Sequence, residues 1–100
     1  MYVWIPVDGN DPQASKIVPM AQARHWALVH FDNGEVQSVM FYNAREEHSD
    51  WVDFIILENK FESYIDFLNE GMMVLSRRRE ESIEDLMEAF KFKELDEVGF

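Results

Sequence analysis

The sequence contains no cysteine, and this absence excludes several kinds of chemistry. Without thiols the chain has no disulfide, no thiolate ligand for zinc or an iron–sulfur cluster, and no cysteine nucleophile. Any metal ion would have to be bound by histidine, carboxylate or methionine side chains. Six methionines are present, but methionine in an apolar segment usually fills a core, so we do not predict a copper site.

Basic residues are also scarce. Lysine and arginine number 9 against 20 aspartates and glutamates, which gives a formal net charge of -11. Nucleic-acid binding requires clustered cations that displace counterions from phosphates, so we expect no nucleic-acid partner, and an anionic membrane surface is disfavoured for the same reason. No apolar run approaches the roughly 18 residues of a membrane span, and no basic flank of a signal peptide is present. We therefore expect a cytoplasmic protein.

The apolar residues that are present suffice for one folded domain. Hydrophobic residues make up 47% of the 100-residue chain, and a chain of this length buries one core but not two. We predict a single α/β domain over residues 1–91. The remaining segment, FKELDEVGF, mixes acidic with apolar residues and is interpreted as a C-terminal tail over residues 92–100.

Three strands and one loop are predicted in the N-terminal half. Residues 2–7 have aromatic and β-branched side chains on both faces, which is typical of a strand buried on both sides. Residues 8–22 contain a glycine, an asparagine and two prolines and are interpreted as a loop. Residues 24–31 and 36–42 are the next two strands. The Asp-Asn-Gly-Glu sequence between them predicts a tight hairpin, because Asn and Gly tolerate a positive φ.

Two helices and a short strand are predicted in the C-terminal half. Ser82 and Asp85 form a capping box, and the apolar residues after Ser82 recur with the period of one helix face. Asn59 is the predicted cap of a second helix that ends at Gly71. Residues 72–75 form a short apolar strand between the two helices.

The segment WVDFIIL, residues 51–57, has two interpretations. A continuous apolar run suits a buried parallel strand, but periodicity does not distinguish it from a buried helix. Only residues 43–50 would remain for the crossover, where a dozen or more are usual. We favour a strand, with one long helix or two abutting helices over residues 44–70 as the alternative.

The order of these elements resembles the dinitrogenase iron-molybdenum cofactor biosynthesis family. The resemblance is carried by MYVWIPVDG, ARHWALVHFDNGEVQSVMFYN and MMVLSRRREESIEDLMEAF, which together cover about half of the chain. It implies a ribonuclease H-like mixed sheet with an N-terminal strand, an antiparallel hairpin pair and two to three helices, trimmed relative to the family. It also implies a binding protein, since some members of this family carry or insert metal clusters.

The sequence departs from the family where a cluster would be bound. The family's His-Phe-Gly-Arg run is replaced by Pro-Met-Ala-Gln at residues 19–22, and its Gly-Gly pair after the fourth strand is replaced by Glu58-Asn59. Acidic side chains repel an anionic cluster and block the backbone approach that glycine permits. An iron–molybdenum or iron–sulfur cluster is therefore implied only by the resemblance, and no tightly bound cofactor is expected.

The remaining candidate ligand-binding residues are short polar and cationic groups. Ser15, Arg24 and His25 lie in or beside the loop that precedes the second strand. Arg77, Arg78 and Arg79 follow the strand at residues 72–75, where the carboxyl edge of an α/β sheet commonly binds ligands, and arginine can bind a carboxylate or phosphate bidentately. The alternative is a loop whose arginines pair with Glu80 and Glu81.

The three histidines do not predict a metal site. His25 and His30 are separated by five residues, an odd offset that places them on opposite faces of one strand. His48 lies among carboxylates and is interpreted as part of a solvated connector rather than a metal ligand. No nucleophile with a base and an orienting acid can be assembled, so we do not predict an enzyme.

Two classes of function follow from these observations. The first is a noncatalytic protein that binds a small ligand or a metallocofactor, as the family resemblance implies. The second is a protein-interaction or regulatory module that keeps the fold without a ligand. In the second, a partner or another copy of the chain would bind through the apolar residues of the tail, Phe92, Leu95, Val98 and Phe100; the same tail could also simply fray.

Overall fold

A six-stranded mixed sheet forms the centre of the molecule in a computed structural model, which describes residues 1–99. The strands are β1 (Tyr2–Val7), β2 (His25–Asp32), β3 (Glu35–Tyr42), β4 (Phe54–Leu57), β5 (Met73–Ser76) and β6 (Asp96–Val98). Their order in the sheet is β3-β2-β1-β4-β5-β6. Strand β1 pairs in parallel with β4, and β4 with β5, whereas the β1–β2, β2–β3 and β5–β6 pairs are antiparallel. The predicted α/β fold with a mixed sheet is confirmed.

The hairpin between β2 and β3 has the predicted turn. Asn33 and Gly34 adopt φ values of 53° and 75°, and two consecutive positive φ angles match the twist of the flanking strands. The partners Asp32 and Glu35 close the hairpin. Local sequence therefore determines this part of the sheet.

The ambiguous segment is a strand only in its second half. Residues 54–57 form β4, and residues 51–53 precede it without regular structure. The crossover from β3 to β4 contains only a short 3-10 helix, Arg45–Glu47. The alternative of a long helix over residues 44–70 is therefore wrong, because a buried apolar run beside β1 gains more from pairing in the sheet than from a helix.

The two α-helices differ in how well the sequence predicts them. Helix α2 (Ile83–Lys91) begins at Ser82, whose Oγ accepts a hydrogen bond from the Asp85 amide at 3.0 Å. Helix α1 (Ile65–Asn69) is shorter than predicted. Asn59 accepts the Phe61 amide at 2.9 Å and so forms a turn before α1. No helix among residues 1–99 is long and apolar enough to cross a membrane.

The sheet is covered on both faces, but by different means. Helix α2 packs on one face, where the buried cluster contains residues of β1 and β2 such as Ile5 and Val29 together with Leu86 of the helix. The other face is centred on Trp4 and Leu28. It is covered by α1 and by the crossover segment, residues 43–53, instead of a second long helix.

The predicted tail belongs in large part to the sheet. Residues 96–98 form β6, and Leu95 and Val98 are 7% and 5% exposed. Leu95 packs on the α2 face and Val98 on the opposite face, which is the alternation of an extended chain. The boundary predicted at residue 91 is thus corrected, and these two side chains are not available to a partner. Phe92 is 59% exposed, and Phe100 lies outside the described residues.

Leu95 should therefore contribute strongly to stability. We expect Leu95→Ala to lower the free energy of unfolding by about 2–5 kcal/mol, because it removes buried methyl groups and leaves a cavity. Phe92→Ala, which truncates an exposed apolar side chain three residues earlier, is the matched control and should change stability by less than about 0.5 kcal/mol. Urea denaturation measures both, and equal effects would contradict the placement of residue 95 in the core.

Candidate functional site

The carboxyl ends of the parallel strands meet at one edge of the sheet. Asp8, Glu58 and Arg77 directly follow β1, β4 and β5, and this carboxyl edge is where α/β sheets most often bind ligands. The predicted site residues lie along this edge. The structure does not, however, bring them together into one site.

Ser15 has a structural role in the loop after β1. It is 2% exposed, and its Oγ accepts a hydrogen bond from the Asp11 amide at 3.0 Å. The loop then returns along the sheet, where Ile17 bridges to Val7. Ser15 is thus enclosed by its own loop and does not face an open surface.

Arg24 and His25 lie at the beginning of β2, across β1 from the arginine run. The amide of Arg24 donates to the Val7 carbonyl at 3.0 Å, and His25 is paired with Val7 in the ladder. Three strand spacings of about 4.8 Å separate β2 from β5, so these residues and Arg77 are roughly 14 Å apart along the sheet. The predicted opposite placement of His25 and His30 agrees with the strand register, in which they pair with Val7 and Tyr2.

The arginine run is occupied by the protein's own acidic groups. The Arg77 guanidinium donates to the carbonyls of Glu58 and Glu80 at 3.2 and 3.1 Å and lies 3.4 Å from the Glu58 carboxylate. Arg78 pairs with Asp96 at 2.9 Å. Both Arg77 and Arg78 therefore have protein partners for their charge.

The backbone of the run also surrounds an anion, which is the Glu80 carboxylate. Its Oε1 accepts the amides of Arg78 and Arg79 at 3.0 and 3.2 Å. Partial burial raises the pKa of Glu80, but hydrogen bonds from the Glu80, Arg78 and Arg79 amides and the charge of Arg79 outweigh it and lower the pKa below its usual value. The stability that ionised Glu80 contributes is present above its unfolded-state pKa and is lost as pH falls through its folded-state pKa.

The loop that would hold a cluster is likewise bonded within the chain. One oxygen of Glu62 accepts the Met20 amide at 2.6 Å, and the other accepts the Asn59 amide at 3.1 Å. The carboxylate thus joins the short 3-10 helix Met20–Gln22 to the segment after β4. An anionic cluster would have to displace this carboxylate, and the donor set contains no thiolate, so these residues do not fit an iron–sulfur or iron–molybdenum cluster.

A cleft of about 450 Å³ opens elsewhere, on the face of the sheet opposite α2. We call it the His48 cleft. The crossover segment and α1 form its sides, and it is lined by Trp4, His48, Asp50, Trp51, Met72 and neighbouring residues. It results from the short crossover, which covers β1 but does not fill the space towards α1.

His48 is held among aromatic rings, contrary to its interpretation as part of a solvated connector. Its ring stands perpendicular to Trp4 with centroids 5.6 Å apart, and it also contacts the rings of Tyr2 and Tyr42. Nδ1 lies 3.4 Å from the Tyr42 hydroxyl. Nε2 is buried and has no hydrogen-bond partner among residues 1–99. Buried polar atoms normally have a hydrogen-bond partner, so the absence of one at this nitrogen needs an explanation.

Trp51 forms a fixed wall of the cleft although its side chain is 60% exposed. The indole Nε1 donates to Asp53 at 3.0 Å, and the other Asp53 oxygen accepts the Tyr2 amide at 2.8 Å. The ring packs against Gly71, where a Cβ would lie 2.5 Å from Trp51 Cη2, and Gly71 has a φ of 89° that glycine tolerates.

The charged residues around the cleft hold the crossover segment in place through contacts with α1 and with its own backbone. The Arg45 guanidinium carbon lies 4.6 Å from the centroid of the Phe67 ring, and its Nη1 lies 3.5 Å from a Glu70 carboxylate oxygen. A Glu47 oxygen accepts the amides of Asn43 and Ala44 at 2.6 and 3.0 Å. Among residues 1–99 no group of three or more histidine and carboxylate residues is arranged to hold a metal ion.

Comparison with known proteins gives a shared fold. No family model and no curated protein sequence matches the chain. The crystal structure of a putative dinitrogenase from Methanocaldococcus jannaschii matches with a TM-score of 0.76 at 21% identity, covering 99% of this chain and 95% of that chain. An NMR structure of a putative NifB protein from Thermotoga, which belongs to the DUF35 family, matches with a TM-score of 0.67 at 21% identity, covering 99% and 95% of the two chains.

These likenesses show that the chain shares its fold with those proteins over nearly its whole length. The name of the first, a putative dinitrogenase, is in line with the family that the sequence resembles. At this level of identity the agreement extends to the fold and not to the activity.

The internal anion at Glu80 leads to a prediction about external anions. In the native protein, phosphate should raise Tm no more than chloride at matched ionic strength, because the amides of Arg78 and Arg79 are already occupied. Glu80→Ala frees them, and phosphate at ten times its Kd should then stabilise the protein by about 1.4 kcal/mol.

Glu81→Ala is the matched control, since the Glu81 carboxylate lies 3.8 Å from Lys16 and takes no bond from the arginine amides. Thermal unfolding monitored by circular dichroism measures all three proteins. If phosphate raised the Tm of the native protein more than chloride, the Arg78 and Arg79 amides would not be blocked by Glu80. That result would favour the anion site predicted at the arginine run.

Proposed function

We propose that this chain is a noncatalytic binding protein with a resemblance to the iron-molybdenum cofactor biosynthesis family, and that it binds a small organic ligand in the His48 cleft. The observation that carries the proposal is His48, which lines the cleft and whose buried Nε2 has no hydrogen-bond partner among residues 1–99. A polar ligand atom would satisfy this nitrogen. The volume of about 450 Å³ is within the range of small-molecule sites.

The walls favour a planar, partly polar ligand. Trp51 offers a fixed aromatic surface, and His48 offers one nitrogen that donates or accepts according to the tautomer set at its Nδ1 contact with Tyr42. A heteroaromatic ring carries both a face for stacking and a polar edge for a hydrogen bond. We therefore assign heteroaromatic compounds as the ligand class.

The noncatalytic character is supported by the chemistry around the histidine. The hydrogen-bond pattern of residues 1–99 pairs no serine or threonine hydroxyl with a histidine, and the Tyr42–His48 contact is long at 3.4 Å. The Nδ1 atom of His48 contacts the Tyr42 hydroxyl and not the carboxylate that orients a catalytic imidazole through that nitrogen. Binding requires only the aromatic and polar side chains that line the cleft, whereas acyl or phosphoryl transfer also requires a nucleophile or a group that stabilises the transition state.

A protein-interaction function is the second candidate, and it is supported by β3. This strand lies at the end of the sheet, and its Val36 and Met40 side chains are 43% and 54% exposed. An exposed edge strand with apolar side chains is a surface to which another strand can add. This edge, rather than residues 92–100, is the surface that the second candidate would use.

The ligand proposal predicts binding that depends on His48. Indole, benzimidazole and nicotinamide at millimolar concentration should be titrated into protein labelled with ¹³C at histidine. We expect at least one compound to shift the His48 ring signals and the proton signal of the Trp51 indole N–H. His48→Phe should weaken that binding about tenfold, since it removes one hydrogen bond.

His25→Phe is the matched control, because residue 25 lies in β2 away from the cleft and should leave the affinity unchanged. If His48→Phe is poorly folded by circular dichroism, Trp51→Ala removes the exposed wall instead and should have the same effect. Failure of all three compounds to move the His48 signals in folded protein would contradict the proposal. A concentration-dependent sedimentation coefficient in the same protein would then favour the β3 interface.

A further inference from the structure

A second cavity, of about 570 Å³, lies at the opposite edge of the sheet, where the parallel strands begin. We call it the amino-edge pocket. It lies between the C-terminal part of α2 and the sheet, and its lining is largely apolar: Phe31, Phe54, Met73, Leu75, Phe90 and Leu95. It shares no lining residue with the His48 cleft.

Three phenylalanine rings give this pocket a defined shape. Phe90 of α2 stands nearly perpendicular to Phe31 and to Phe54, with ring centroids 5.3 and 4.9 Å apart. Edge-to-face packing of this kind fixes ring orientation. The pocket is therefore formed by ordered side chains on β2, β4 and α2, which suits the apolar body of a small ligand.

Charged residues line the same pocket. Lys91 and Lys93 contribute to its wall, as does Glu97 of β6. Lys91 is the last residue of α2, and its side chain approaches the hairpin turn at Gly34. The Lys91 ammonium lies 5.5 Å from the centroid of the exposed Phe92 ring. Two lysine side chains in the wall of an apolar cavity, in a chain with a net charge of -11, are complementary to an anionic head group.

The backbone at Lys93 provides an independent observation. Helix α2 ends with the amide of Lys93 bonded to the Phe90 carbonyl at 3.2 Å and the amide of Glu94 bonded to the Ala89 carbonyl at 2.8 Å. These two bonds define a Schellman motif, in which the residue at the Lys93 position is usually glycine because it adopts a left-handed conformation. Here lysine takes that conformation, with a φ of 58°.

A lysine at a position suited to glycine carries a conformational cost. Strained backbone residues are concentrated at functional sites, where the side chain has a use that offsets the strain. Balancing the negative end of the helix dipole does not require this position, because Lys91 already lies in the last turn. Position 93 does place a second lysine in the wall of the amino-edge pocket.

We infer that the amino-edge pocket binds a small apolar carboxylate, a medium-chain fatty acid or an aryl-substituted acid. Its hydrocarbon part packs against the three phenylalanines, and its carboxylate pairs with Lys91 and Lys93. The Glu97 carboxylate opposes the bound anion and limits its affinity. This inference is independent of the function proposed for the His48 cleft.

Octanoate is the probe that tests it, with 1-octanol as its uncharged counterpart. Isothermal titration should show saturable binding of octanoate at one site and at least tenfold weaker binding of octanol. Lys93→Gly should raise Tm, since glycine relieves the left-handed strain, and yet weaken octanoate binding about tenfold. Glu97→Gln should strengthen octanoate binding.

Asn33→Gly is the matched control, because Asn33 is the other non-glycine residue among 1–99 with a positive φ, at 53°, and it does not line the pocket. Because asparagine already tolerates a positive φ, this change should leave both Tm and octanoate affinity nearly unchanged. His48→Phe should also leave octanoate binding unchanged, which separates this inference from the function proposed above. Absence of octanoate binding, equal affinity for octanol, or full affinity in the stabilised Lys93→Gly variant would each overturn the inference.

Discussion

Burial of β1 on both faces is the constraint on which the rest of the structure depends. Residues Val3 to Val7 are each no more than 2% exposed, so both faces of the sheet need a cover. Helix α2 supplies one cover. On the other face the chain must return from the end of β3 to the beginning of β4 within residues 43–53, which is too short a path for a covering helix of normal length.

The aromatic residues of that face follow from the short crossover. Trp4 and Tyr42 are large enough to bury much of their own surface, and His48 packs on them from the crossover where a helix would otherwise supply aliphatic side chains. Asp53 and Gly71 then fix Trp51 at the side of the remaining space. The His48 cleft is thus a consequence of chain length, and the buried nitrogen of His48 is the polar group on which the proposed ligand binding depends. The carboxyl edge, in contrast, is closed by the contacts of Glu62 and Glu80 within the chain.

Local signals allowed much of the fold to be predicted from the sequence. The Asn33-Gly34 turn and the Ser82 cap act through neighbouring residues, so the hairpin and α2 could be identified without tertiary information. The strand β6 could not, because Leu95 and Val98 are buried on opposite faces by pairing with β5, a partner about twenty residues away in sequence. The helix predicted between Asn59 and Gly71 is longer than α1. The reason is that Glu62 accepts the Met20 amide across the fold instead of supporting another helical turn.

The site was less predictable than the fold for the same physical reason. Candidate residues Arg77 and Arg78 could be identified by type, but their acidic partners are set by tertiary contacts that residue type does not reveal. His48 was interpreted as solvated because its immediate neighbours are polar; its aromatic partners Tyr2 and Trp4 lie more than forty residues away in the sequence. The sequence feature that relates to the His48 cleft is the crossover of residues 43–50, which is shorter than the dozen or more residues that usually join parallel strands.

A high-resolution crystal structure of the protein purified without added ligand tests the central claim most directly. The account predicts that the His48 cleft stays open, with Trp51 on Gly71, and that a water or other nonprotein group lies within hydrogen-bond distance of His48 Nε2. A Glu46 or Asp50 carboxylate turned inward and bonded to Nε2, with the cleft closed, would contradict it.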